Sequence, residues 1–211
     1  MAELNITKKK LSILLSQLKE FEKSDTRLEQ YPTDPEIAAE SLWFAMMQGD
    51  VKGKIIADLG SGTGILGLGA LMLGARKACL IDIDSEAIEL GVTNQKLLEE
   101  KTGMQLKASF SAGDINVFSQ ETDTVIMNPP FGTKQKSKDA QFLLKSTTIA
   151  PVIYTFHKAS TKKYIDKLIK ENGYKTTHYK EYDFPLKQTM LQHKKRIKRI
   201  RVGMWRIEKN S

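Results

Sequence analysis

The feature that most constrains the fold of this chain is the passage from residue 55 to residue 73. Ile55-Ile56-Ala57-Asp58-Leu59 is a short, continuous apolar run. Gly60-Ser61-Gly62-Thr63-Gly64 follows at once, and residues 65–73 are apolar again at a length that suits a helix. A run of this kind, without polar alternation, reads as a strand buried on both faces, the habit of parallel sheets. Strand, glycine loop and helix form the first third of a βαβ unit, so the expected architecture is α/β: a Rossmann-like, doubly wound sheet of seven strands, the last antiparallel. Gly60, Gly62 and Gly64 let a ligand approach the backbone closely, and the helix start offers N–H groups to it.

The same alternation continues. After Gly74 a strand over 78–83 ends in Asp82-Ile83-Asp84, and a helix runs from 86 to about 101. An acid at the end of a second strand is placed to accept from ribose hydroxyls, which nominates Asp82. A third strand near 106–110 leads to Gly113-Asp114-Ile115. Asp114 is either a turn residue or the partner of an adenine amino group, the position such an acid takes in this fold. Two cofactors compete for the loop. Gly62-Thr63-Gly64-Ile65-Leu66-Gly67 satisfies G-x-G-x-x-G, with Asp82 about 20 residues on, as a dinucleotide site requires. Asp58 argues the other way, because a carboxylate before the glycines repels a pyrophosphate and suits an ammonium.

A fourth strand, Asp123-Thr124-Val125-Ile126-Met127, feeds directly into Asn128-Pro129-Pro130-Phe131. Two prolines remove two backbone donors, fix φ twice and push Asn128 out of the α region, so the tip is stiff and extended. It presents an amide, the carbonyls of Asn128 and Pro129 and an aromatic ring, a set suited to a planar amino group on a flat ring. Alone, Asn-Pro would only start a turn and Phe131 would only be core. Strand ends in a doubly wound sheet share one crevice with the glycine loop, which brings Asn128 to the same ligand.

Upstream, Leu11, Leu14, Leu15, Leu18 and Phe21 recur at helical spacing within residues 6–23. Thr33 and Glu36 read as a capping box with Pro35 in the first turn, starting a helix at Asp34 that runs to about 48. Glu29, Gln30 and Tyr31 have no structural reason in this pattern and are candidate site residues. Downstream, residues 133–139 form a basic lip with Lys134 and Lys136. A helix near 140–146 and a strand over 152–156 precede His157, either a crevice residue or a hydrogen-bonded structural one. A helix over 161–171 and strands over 174–184 and 197–207 complete the chain. The last pair flanks the densest positive run, in which Lys194, Lys195, Arg196, Lys198 and Arg199 are candidates for phosphate contact.

A chain of 211 residues suffices for one domain, with residues 1–50 as a helical region packed on it. The net charge of +8 favours a polyanionic partner. No stretch approaches the ~20 apolar residues of a membrane span, and no signal-peptide core opens the chain, so a cytoplasmic or nuclear protein is expected. Cys79 is the one cysteine, and no His or Cys falls at ligand spacing, so no metal is expected.

Asp58-Leu59-Gly60-Ser61-Gly62-Thr63-Gly64 resembles the first motif of the Rossmann-like S-adenosylmethionine methyltransferases, and Asn128-Pro129-Pro130-Phe131 resembles the amino-methyltransferases. Residues 28–33 and Val125 to Thr133 look specifically like the methyltransferase-like adenine-N6 methyltransferases of small-subunit ribosomal RNA. Ser61 and Thr63 depart from the cysteines of many relatives. The resemblance implies that Gln30, Thr33, Gly60, Thr63, Ile65, Asp82, Asp114, Ile115 and Asn128 contact S-adenosylmethionine. It implies a flipped adenine held by Asn128, Pro129, Pro130 and Phe131. It also implies a small zinc-binding activator subunit on the edge strand near 106–110, where Lys107 would otherwise keep the edge solitary. Two alternatives remain open at this point: methylation of a protein glutamine, and a non-catalytic rRNA-binding assembly factor.

Overall fold

The computed structural model describes residues 6–20, 32–131, 138–186 and 198–210. Seven strands form one sheet: β1 (Ile55–Leu59), β2 (Lys77–Asp82), β3 (Ala108–Ala112), β4 (Thr124–Met127), β5 (Val152–Lys158), β6 (Tyr174–Leu186) and β7 (Lys198–Lys209). Their order is β3-β2-β1-β4-β5-β7-β6. Neighbours from β3 to β5 are parallel, and β7 is antiparallel to both β5 and β6. The antiparallel last strand expected from sequence is therefore present, inserted between β5 and β6. The chain order reverses between β1 and β4, which puts a crevice at their carboxyl ends.

Helices cover both faces because the central strands are apolar on both. α2 (Pro35–Met47), α3 (Ile65–Met72) and α4 (Ser85–Thr102) pack on one face with α1 (Lys8–Leu15), sharing a core with Ile56, Leu80, Ile126, Tyr154 and Phe156. On the other face, α5 (Lys138–Ile149) and α6 (Lys162–Glu171) contribute Leu143, Ile165 and Ile169 against Ala57, Val125, Ile153 and Trp205. α1 buries Leu11, Leu14 and Leu15 as its periodicity requires; Phe21 lies outside the described residues.

Two boundaries differ from the sequence expectation in ways that matter. The cap of α2 is Asp34, whose Oδ1 accepts from the N–H groups of Glu36 and Ile37 at 2.9 and 3.2 Å. The Thr33–Glu36 capping box is thereby corrected: the Asp34 side-chain oxygen, one residue on, takes these donors in place of the Thr33 hydroxyl. β6 and β7 are also longer than β5, pairing from Tyr174↔Lys209 to Leu186↔Lys198, whereas β5 reaches only Lys158↔Val202. Residues 183–186 and 198–201 thus form a two-stranded ribbon overhanging the carboxyl end of β5. At the opposite end of the sheet, Asp50 accepts from Arg206 Nε at 2.8 Å and from the Tyr154 hydroxyl at 2.5 Å, pinning β7 to the turn after α2.

Candidate functional site

The glycine loop is built by its neighbours. Gly60 sits at φ +69°, and a Cβ there would stand 2.9 Å from the Phe142 ring, so the position is closed to other residues by backbone and by packing. A Cβ at Gly67 would stand 2.9 Å from Leu80 and 3.1 Å from Asp58 Oδ2, which is how the third glycine brings α3 onto the sheet. Asp82 Oδ2 accepts from Gly62 N–H at 2.7 Å, and its Oδ1 accepts from Asp84 N–H at 3.0 Å. The residue nominated for ribose is thus also the brace of the loop. Burial raises its pKa against the pull of these N–H donors.

Asp58 is 1% exposed. Its Oδ2 accepts from Gly67 N–H at 2.7 Å. Its Oδ1, like Ser61 Oγ, is buried with no hydrogen-bond partner among the described residues. Burial drives the carboxyl up to about 7, with the Asp82 charge adding to the rise and the Gly67 N–H opposing it. An unsatisfied buried carboxylate oxygen is costly, and a cationic ligand group would relieve it. At the loop's far end α3 starts at Gly64 with no side-chain cap, so its first N–H groups favour an acceptor or an anionic group there. Thr63 and Ile65 are half-buried there. Asp114 is exposed and accepts from Asn116 N–H at 2.8 Å, capping a short 3₁₀ turn, while Ile115 is buried beneath it.

Asn94 was not singled out from sequence, and it organises this end of the sheet. It is fully buried in α4. Its Oδ1 accepts from Lys19 N–H at 2.8 Å, and its Nδ2 donates to the Lys19 carbonyl at 3.1 Å and the Thr63 carbonyl at 3.0 Å. One side chain therefore ties the segment after α1 to the glycine loop. The available signal was an amide within an otherwise apolar helix face, beside Ala87, Ile88, Gly91 and Leu98.

At the end of β4, Asn128 Nδ2 donates to Thr33 Oγ1 at 2.9 Å. Thr33 is 5% exposed, so this bond is shielded. Released from capping by Asp34, Thr33 becomes a holder of the Asn128 amide. Pro129 is buried and Pro130 half-buried. Phe131 is placed otherwise than a ring open to an incoming base: it is 2% exposed, and its ring meets Phe184 edge-on at 6.2 Å. The apolar wall of Phe156 and Phe184 draws it into the core, and a base that stacks on it must displace what covers it now.

Gln30, Lys134, Lys136, Lys194, Lys195 and Arg196 lie outside the described residues, and of Lys198 only the backbone is described. Arg199 is exposed on the overhanging ribbon, on the crevice side of the sheet. His157 is fully buried, with Nε2 2.8 Å from the Thr155 hydroxyl and its ring edge-on to Trp205 at 5.6 Å. Burial lowers its pKa to about 3, so it is a neutral structural residue near pH 7. Among the described residues no group of three His, Cys, Asp or Glu could hold a metal, and no helix is long and apolar enough to cross a membrane.

The family model described as Conserved hypothetical protein 95 matches residues 17–183. The chain is 35% identical to the rRNA N(6)-adenosine-methyltransferase METTL5 of Danio rerio, over 94% of this chain and 97% of that one. It is 33% identical to its Drosophila melanogaster counterpart Mettl5, over 95% of each. A crystal structure from Pyrococcus horikoshii, of a protein described as a candidate RNA methyltransferase, superposes with a TM-score of 0.86 at 39% identity, covering 97% of this chain and 98% of that one.

Proposed function

This chain belongs to the family of rRNA N6-adenosine methyltransferases, and on that premise we propose that it methylates N6 of an adenosine in small-subunit ribosomal RNA, using S-adenosylmethionine. The observation that carries the reading is the Thr33–Asn128 hydrogen bond at the carboxyl end of β4, in the crevice shared with the glycine loop and the unsatisfied Asp58 Oδ1.

The residues fit the cofactor. Asp58 would hold the methionine ammonium, Asp82 the ribose hydroxyls and Asp114 the adenine amino group. Gly60, Gly62, Thr63, Gly64 and Ile65 would lie against it, Ile115 would underlie its base, and Gln30 would be a further contact. When bound, S-adenosylmethionine supplies an electrophilic methyl group whose departure leaves a neutral thioether. Asn128 orients the acceptor. Nδ2 is given to Thr33; the amide oxygen would accept one N–H of the target amine and the Pro129 carbonyl the second. Held so, the amine would present its nitrogen lone pair to that methyl group and would shed one proton after the transfer. No base is needed before attack, so positioning sets the rate. The target adenine leaves its stack to reach the loop; Phe131 and Pro130 shape the floor it meets.

Arg199 on the ribbon, with Lys198, Lys194, Lys195, Arg196, Lys134 and Lys136, would take phosphates around that base. A zinc-binding activator subunit would add its strand to β3, an edge strand of Ala, Ser and Phe that carries no charge. A ribosomal substrate is met in the cytoplasm, or in the nucleus of a nucleated cell. The test is transfer of labelled methyl to rRNA and to protein from depleted cells, followed by mapping of N6-methyladenosine. Label on one small-subunit adenosine is the expected result. Label on a protein glutamine, or on nothing, overturns the reading.

A further inference from the structure

The amino ends of β1, β2 and β3 carry a feature that neither the cofactor nor the target base uses. Ile55, Arg76, Lys77, Lys107 and Ala108 line an open recess of about 350 Å³. Its floor is apolar and its walls are cationic. Register explains the crowding: Ile55 pairs with Lys77 and Ala78 with Ala108, while Ala78 N–H donates to the Lys107 carbonyl at 3.0 Å. Lys77 and Lys107 therefore leave adjacent strands side by side, about 4.8 Å apart in the sheet, with Arg76 next in the chain. Like charges so placed repel. Among the described residues no ion pair reaches Arg76, Lys77 or Lys107. Asp123 is close in the fold but does not line the recess, and its Oδ2 accepts from Ile55 N–H at 2.7 Å.

We propose that this recess is a second RNA-binding site, taking the phosphodiester backbone of the ribosomal RNA away from the target base; it rests on the proposed substrate. The recess has cations for phosphates but no aromatic ring to stack a base, so it reads charge and not sequence. Four residue steps of β1 at about 3.3 Å each put it roughly 13 Å or more from the glycine loop, too far to share the flipped nucleotide and near enough for the same folded RNA to span both.

The experiment uses the full chain, with its activator if one is required, and a small-subunit rRNA fragment that it methylates. Arg76→Gln/Lys77→Gln/Lys107→Gln is compared with the wild type and with a charge-matched control on α6, Lys163→Gln/Lys167→Gln/Lys170→Gln. Dissociation constants are read from about 50 to 300 mM salt. The recess variant is expected to bind RNA at least tenfold more weakly at low salt and to lose about two units of the log Kd against log salt slope, nearly one per phosphate contact. The control should keep most of its slope, and cofactor affinity and thermal melts should match the wild type in both. Equal slopes in the recess variant and the wild type, or equal losses in recess variant and control, overturn the proposal. Should Lys77→Gln disturb the sheet, Arg76→Gln/Lys107→Gln gives the same reading with exposed residues alone. Failure of the wild type to methylate rRNA would strike the substrate reading instead, which the binding slopes do not depend on.

Discussion

Asp58 and His157 oppose one another in the pH dependence of stability, and separating them is the sharpest test of the buried site. Asp58 has a folded pKa near 7 against 3.8 unfolded, so the folded state holds a proton that the unfolded state has released. Stability is lost as pH rises from about 4 to 7 and then levels. His157 has a folded pKa near 3 against 6.5, so the unfolded state takes the proton first, and stability is lost as pH falls below 6.5. In the shared window each group contributes up to about 1.4 kcal/mol per pH unit with opposite sign, so together they nearly cancel. Asp58→Asn keeps an oxygen for Gly67 N–H and removes the ionisation. It should leave stability near pH 4 unchanged and raise it by up to about 4 kcal/mol at pH 8, or on the order of 10 °C in Tm for a chain of this size. The same variant should bind S-adenosylmethionine more weakly, because the ammonium loses its anion. Calorimetric melts at half-unit steps from pH 4 to 8, without cofactor, give the difference directly. Parallel Tm profiles for variant and wild type would refute the burial argument.

The remaining expectations concern positioning. Asn128→Ala should nearly abolish single-turnover methylation of rRNA with little change in melting, and Thr33→Val should slow it roughly 3- to 10-fold through loss of one hydrogen bond; a wild-type rate in folded Asn128→Ala would remove the loop from the chemistry. Phe131→Ala should cost about 3–5 kcal/mol of stability because the ring is core as well as site, whereas Phe131→Tyr should retain more activity than Phe131→Ala; equal melting of Phe131→Ala and wild type would contradict the observed burial. Asn94→Ala leaves backbone groups of Lys19 and Thr63 unpaired, so it should lower stability by about 1–3 kcal/mol and weaken cofactor binding by calorimetry, and unaltered cofactor affinity would deny its hold on the loop.

The central architecture was legible because it is written in local pattern. Ile55 to Leu59 is apolar but for Asp58 and is followed by glycines, and Val125 to Met127 runs through Asn128 into two prolines. Thr33 was misread because a hydroxyl three residues before a glutamate satisfies the capping pattern as well as Asp34 satisfies the cap itself. Which oxygen wins depends on where the chain enters the helix, a property of the fold. For Phe131 the sequence left two readings, core ring or stacking face, because whether an aromatic after Pro-Pro faces solvent or core is decided by Phe156 and Phe184, which are 25 and 53 positions away in the chain. Asn94 escaped notice because its partners are backbone groups, 75 and 31 residues distant, that carry no sequence signature.

Asn94 and Thr33 share a logic that connects the N-terminal helices to the candidate site. Asn94 fixes Lys19, after α1, to the glycine loop, and Thr33 fixes the start of α2 to Asn128, so the described N-terminal residues are tied to the loop and to the end of β4. The described part of the N-terminal region thereby helps to build the candidate site. Its cost in ordering entropy is offset by α1, which buries Leu11, Leu14 and Leu15 against the same core that holds α3 and the loop at its head.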